Sequence, residues 1–166
     1  MPNYGVKSGR SNYFYYNSGT YDTPVWTLID RIGDLDRTNS KASTNIDMRA
    51  STTTITVFGN KARDVSFTYY KKQGADDAVF NVLLDSYEND TVLDLVLAED
   101  LIATIGTKYD RGPFRIAEMT KSEPIAGVDA FSIKANVADD IHQYRPYLEV
   151  GVGVGGWAIG GSFIIP

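Results

Sequence analysis

The sequence predicts a mainly β domain: an antiparallel β-sandwich or barrel with one flanking α-helix and extended N- and C-terminal arms. Three observations point there. Short stretches of alternating apolar and polar residues recur from Val25 to Val137. One stretch only, near residues 76–88, has an apolar stripe of helical period. Both ends differ in composition from this middle, with a Tyr-rich head and a Gly-rich tail.

The elements follow in order. Val25 to Ile32 alternates Trp26, Leu28 and Asp30 against Val25, Thr27 and Ile29, as a strand does. Gly33 to Thr44 is rich in Asp, Ser, Thr and Asn and reads as a long loop. Thr52 to Val57 is β-branched and reads as a strand. Phe58-Gly59-Asn60-Lys61 reads as a turn. Asp64 to Lys71 alternates again, with Val65, Phe67 and Tyr69 on one side. Asp76 or Asp77 then caps a helix in which Phe80, Leu83, Leu84 and Tyr87 recur at i, i+3, i+4 and i+7. Asn89-Asp90 ends it. Thr91 to Ala98 is a strand, with Leu93, Leu95 and Leu97 on one face. Leu101 to Ile105 fits either a strand or a short helix. Phe114 to Glu123 alternates irregularly, which suggests a bulged strand. Ala130 to Val137 alternates without a break. The sum is six or seven strands and one helix. Three zones result: an N-terminal arm over 1–23, a core over 24–138 and a C-terminal arm over 139–166.

Composition excludes several function classes. The 166 residues contain no Cys and one His. Disulfides, Cys/His zinc sites and Cys nucleophiles are therefore out of reach. With 16 basic and 21 acidic residues the net charge is −5, unlike a dedicated nucleic-acid binder. No apolar run is long enough to span a membrane as a helix, and no segment reads as a signal peptide, so membrane insertion is not expected and a cytosolic origin is. Charge is ordered along the chain. Arg37, Lys41, Arg49, Lys61, Arg63, Lys71 and Lys72 lie between residues 37 and 72, beside only Asp47 and Asp64. Residues 73–107 hold Asp76, Asp77, Asp85, Glu88, Asp90, Asp94, Glu99 and Asp100 and no base. The two stretches can offset each other within one subunit, or pair between copies in a head-to-tail contact.

No catalytic, cofactor or metal site is expected. Asp76/Asp77 and Glu99/Asp100 read as caps and solvated charge, and Asp34-x-Asp36 lacks the rest of a calcium loop. The glycines of 151–156 lack the strand–helix unit of a dinucleotide site. His142 sits near Asp139 and Asp140 with no nucleophile to serve. The aromatics Tyr13, Phe14, Tyr15 and Tyr16, and Trp157 and Phe163 in the tail, suit subunit interfaces. A second reading uses the Tyr-rich segment as a glycan or protein-binding platform on a β-sandwich. The tail 150–166 fits equally an extension packed on its own subunit or an arm on a neighbour.

From Pro24 to Asp140 the order of features is similar to one known family. Trp26 and Asp34 precede a polar stretch, then Ser40-Lys41 and Asp47-Met48-Arg49-Ala50. A Thr-rich strand and Gly59-Asn60-Lys61-Ala62-Arg63-Asp64-Val65-Ser66-Phe67 follow, then the helix and the closing strands. This pattern resembles the major tail tube protein of long-tailed bacteriophages, in the superfamily shared with type VI secretion tubes. The resemblance implies a structural virion protein of the tail and no enzyme. It implies hexameric rings stacked into a tube, a lumen through which DNA passes as non-specific cargo, and assembly in the bacterial host cytoplasm. Tape-measure, tail-terminator and baseplate proteins are the implied partners. The segment from Asp34 to Met48 would be the stacking loop, and the two ends ring-to-ring arms. Expected contacts between copies are Asp34, Asp36, Arg37, Lys41, Asp47, Arg49, Tyr13, Tyr15, Tyr16, Trp157 and Phe163. Asp85, Glu88, Asp94, Glu99 and Asp100 form an acidic surface expected to face the lumen.

Overall fold

A computed structural model describes residues 12–47, 49, 54–72, 76–123, 127–140 and 142–151. Eight strands and one helix occur among them, in the order β1 (Tyr13–Asn17), β2 (Trp26–Leu28), β3 (Ile32–Asp47), β4 (Thr54–Tyr70), α1 (Ala78–Asn89), β5 (Leu93–Ala98), β6 (Lys108–Ser122), β7 (Ala130–Val137) and β8 (Arg145–Glu149). All pairings are antiparallel. The sheet runs β2-β1-β5-β6-β7-β4-β3, with β8 pairing β6. It does not close, and the fold is sandwich-like.

The core lies where the two halves of this sheet face each other. Phe14 and Tyr16 from β1, Leu95 and Leu97 from β5, Phe67 and Tyr69 from β4, Ile133 from β7 and Phe114 from β6 share one cluster. Helix α1 contributes Phe80 and Leu83 to it. The opposite faces of β1 and β5 place Tyr15, Val96 and Ala98 in a second cluster with Ile102, Tyr109 and Val150. A strand buried on both faces needs apolar groups at successive positions, and this is why Phe14, Tyr15 and Tyr16 are adjacent.

The helix begins on a buried carboxylate. Asp77 accepts from the Phe80 amide (3.2 Å), the Lys72 amide (3.0 Å) and the Tyr69 hydroxyl (2.8 Å), with Arg31 at 3.3 Å. Burial opposes its charge, but these donors and Arg31 outweigh burial and hold its pKa below the ordinary value. Burial, followed by the bond to Asp77, pushes the Tyr69 phenol well up. The helix ends at Asp90, whose φ of 55° is the left-handed conformation common at helix ends.

Four expectations need correction. Gly33 to Thr44 is not a loop but most of β3, paired with β4 from Ile32↔Tyr69 to Asp47↔Thr54. Phe58 to Lys61 is not a turn but the middle of β4, where Gly59 and Asn60 oppose Ala42 in a bulge. The N-terminal arm is not an arm from Tyr13 onward, because β1 lies between β2 and β5. On α1 it is Ser86, not Tyr87, that turns inward: Ser86 is buried and bonds the Thr91 carbonyl at 2.7 Å, while Tyr87 is exposed.

Candidate assembly surfaces

The β3–β4 hairpin leaves the core and stands alone. Leu35 still packs against the core. From Asp36 to Asp47 on β3 and from Thr54 to Ala62 on β4, every residue is exposed. At about 3.4 Å per residue this hairpin reaches roughly 40 Å. A two-stranded ribbon is marginally stable in water by itself, so a protruding one calls for a partner.

Its two faces differ. One is polar: Asp47 accepts from the Thr54 hydroxyl at 2.7 Å, Asn45 accepts from Thr56 at 2.9 Å, and the Lys41 ammonium lies 4.6 Å from the Phe58 ring centre. The other face carries Ile46, Ile55 and Val57, each more than 40% exposed, with Ile46 directly opposite Ile55. Alternation of side chains along a strand separates the two sets. Among the described residues nothing covers the apolar set.

A second surface is the open side of β3-β4-β7-β6. Val65, Phe67, Ile133, Ala135 and Ile116 point from these strands into the core. Their neighbours point the other way, and the register joins them into rows: Ser66 with Lys134, Thr68 with Ser132, Glu118 with Lys134, Thr120 with Ser132, and Arg115 with Asn136. This face is wide, polar and nearly balanced in charge. Helix α1 packs on the opposite side, with Phe80 and Leu83 in the core.

The residues expected between copies divide. Asp34, Asp36, Lys41, Asp47 and Arg49 are all exposed. Arg37 is also exposed, but it pairs with Asp110 at 3.0 Å in its own subunit. Tyr15 and Tyr16 are corrected: both are buried in their own subunit and have little surface to offer a neighbour. Tyr13 is half-buried beside Tyr15. A glycan platform on Tyr13 to Tyr16 fails for the same reason. Trp157 and Phe163, with the rest of residues 152–166, lie outside the described residues.

The acidic set is scattered. Asp85 and Glu88 are exposed on α1, and the Thr91 and Asn89 side chains hold the Asp85 carboxyl below its ordinary pKa. Asp100 is exposed and accepts from the Leu101 amide, while Glu99 is half-buried. Asp94 is corrected: it is no free surface acid but grips Arg111 at 2.6 Å, with both side chains largely buried. Arg111 also lies 3.8 Å from the Tyr21 ring centre, and Tyr21 stacks flat on His142 at 3.6 Å. The single imidazole thus packs a junction of three chain segments. None of these acids is on the open polar face.

The contacts expected from the sequence do not include Ile46, Ile55, Val57 or Tyr147, and they place Lys61 only in the basic stretch. Isolated large apolar residues in a polar stretch were the available signal for the first two. Among the described residues no His, Asp and Glu group is placed to hold a metal, and no helix is long and apolar enough to cross a membrane.

No protein-family model matches the chain, and no curated protein matches its sequence. Solved structures do. The SPP1 tail tube protein superposes with a TM-score of 0.68 at 18% identity, over 93% of this chain and 91% of that one. A chain from the virion of a native gene transfer agent particle gives 0.63 at 11% identity, over 84% and 99%. A chain from the tail of the empty particle, refined with C6 symmetry, gives 0.61 at 11%, over 86% and 100%. The chain has the tail-tube fold.

Proposed function

We propose that this chain is a major tail tube subunit, which forms stacked hexameric rings around a channel for genome passage. One observation carries the reading: a hairpin exposed on both faces, about 40 Å long, projects from a tail-tube fold with an apolar row that the described residues of its own subunit leave bare. The hairpin takes the place of the expected stacking loop, and Ile46, Ile55 and Val57 meet a neighbouring copy. The six-fold tail of the gene transfer agent supports hexameric rings. The open polar face of β3-β4-β7-β6 lines the channel. Small hydroxyls and near-balanced charge there suit a polyanion that must pass without binding. The acids on α1 and near β5 then lie elsewhere on the subunit. The tube resides in the virion tail after assembly in the host cytoplasm, bounded by tape-measure, tail-terminator and baseplate proteins. No part of this role requires catalysis.

Negative-stain electron microscopy of the concentrated protein tests the reading. Rings or tubes of uniform width are expected. A compact monomer at every concentration and salt condition overturns it.

A further inference from the structure

At the base of the hairpin a groove of about 320 Å³ is rimmed by Lys41, Lys61, Arg63 and Tyr147. Lys41 and Lys61 are register partners, so two like charges sit directly opposite each other. Such a pair is unfavourable across a ladder. Among the described residues neither lysine pairs with a carboxylate. The one acid in the groove is already engaged: Asp110 takes Arg37 at 3.0 Å, the Tyr144 hydroxyl at 2.9 Å and the Tyr147 amide at 2.8 Å. Arg63 stacks over the Tyr144 ring at 4.1 Å. Among the described residues the groove therefore presents two ammonium groups without a carboxylate, Lys41 lying over the Phe58 ring.

Tyr147 beside it is held in an unusual way. Its φ is 58°, and its side chain is 82% exposed. An aromatic residue in the left-handed region is strained, and such strain concentrates at working sites. The bond from its amide to Asp110 keeps the ring out at the rim.

The same chain carries the complement. The last turn of α1 holds no base, so the negative end of the helix dipole is unopposed. Asp85, Glu88 and Asp90 cluster there, all exposed, beside the exposed ring of Tyr87. The Cβ atoms of residues at i and i+3 on a helix lie about 5–6 Å apart. Opposite residues on a ladder lie about 4.5–5.5 Å apart. The two pairs match in spacing and oppose in sign. Asp85 accepts from the Asn89 side-chain amide and the Thr91 hydroxyl at 2.7 Å each, neutral donors that leave its charge in place, whereas Asp30 already lies 3.5 Å from the Arg31 guanidinium.

We infer that the Lys41–Lys61 groove receives the acidic end of α1 from a second copy of this chain, with Asp85 and Glu88 facing the two lysines and Tyr147 against Tyr87. The inference rests on the self-assembly proposed above and names the residues of one contact in it. Groove and helix end are different patches, so the contact is head-to-tail and repeats from copy to copy.

Charge exchange tests it. Lys61→Glu and Glu88→Lys are made singly and together, and circular dichroism melting shows that each remains folded. Each single variant is expected to need about tenfold or more protein for assembly, measured by sedimentation and microscopy, since like charges at a contact are costly. The double variant assembles like the wild type. So does an equimolar mixture of the two single variants, because each contact in an alternating assembly again has one base and one acid. Two results overturn the inference while leaving the tube reading standing: single variants that assemble normally, or defects that neither the double variant nor the mixture repairs. A wild-type chain that never assembles overturns both.

Discussion

Strand β4 has two halves. From Asp64 to Tyr70 it alternates buried and open side chains, with Val65, Phe67 and Tyr69 in the core. From Thr54 to Ala62 every residue is exposed. Pairing with β3 runs along both, with one irregularity in each: between Ile32 and Leu35 opposite the inner half, and at Gly59 and Asn60 in the outer half. Backbone pairing thus makes the strand, but only the inner half has a hydrophobic reason to be there. In the proposed tube the outer half finds its reason on another molecule. Substitutions in the inner half should lower the stability of the monomer, and those in the outer half should leave it folded but unable to assemble.

The largest effect is expected at Phe67, which is buried and meets Phe14 edge to face at 5.1 Å. Phe67→Ala should cost about 3–5 kcal/mol in urea unfolding. A cost under 1 kcal/mol would mean that the inner half does not anchor the strand.

Asp77 comes next. Asp77→Ala removes the helix cap and strands the Tyr69 hydroxyl, at about 2–4 kcal/mol. Its carboxyl titrates lower in the folded chain than in the unfolded one. The charge therefore stabilises the fold above the ordinary carboxylate range, and that contribution is lost as pH falls through the folded value. Asp77→Asn should flatten the acid limb of a stability–pH profile, and an unchanged limb would rule this out.

Tyr144 gives the opposite limb. Burial, then Asp110, pushes its phenol up to about 12 from an ordinary value of 10.0. Its contribution is complete below pH 10.0 and fades as pH rises towards the folded value. Tyr144→Phe should lessen the alkaline loss seen in melting curves.

The smallest effect on stability belongs to the outer half. Ile55→Ser should change monomer unfolding by less than about 0.5 kcal/mol. The same substitution should prevent tube formation under the microscope. Loss of monomer stability instead would show that Ile55 packs on its own chain.

Legibility in the sequence follows the same division. The helix, β5 and β7 were readable because one buried face writes a period into the residues, as Phe80 with Leu83 and Phe131 with Ile133 do. The bulge in β6 was readable too, and it falls between Ile116 and Glu118. The outer hairpin was not. With both faces wet in the single chain, Asp34 to Thr44 carries the Asp, Ser, Thr and Asn composition of a loop, and nothing local marks it as a strand. Gly59-Asn60 has the chemistry of a turn and serves as a bulge instead. β1 was misplaced for the converse reason: burial on both faces erases alternation, and Phe14-Tyr15-Tyr16 then looks like a sticky patch. The assembly surfaces were half legible. Charge order along the chain was visible, but which charges meet depends on register, which places Lys41 against Lys61 and takes Asp94 out of circulation with Arg111.

The ladder between β4 and β7 runs through seven residue pairs, from Asp64↔Asn136 to Tyr70↔Ala130. Its strands lie along the direction in which the hairpin projects. A pull on the hairpin tip therefore loads those bonds sideways and together, as a lap joint is loaded, rather than opening them one by one like a zip. A subunit built this way resists traction best along the line on which its hairpin is gripped.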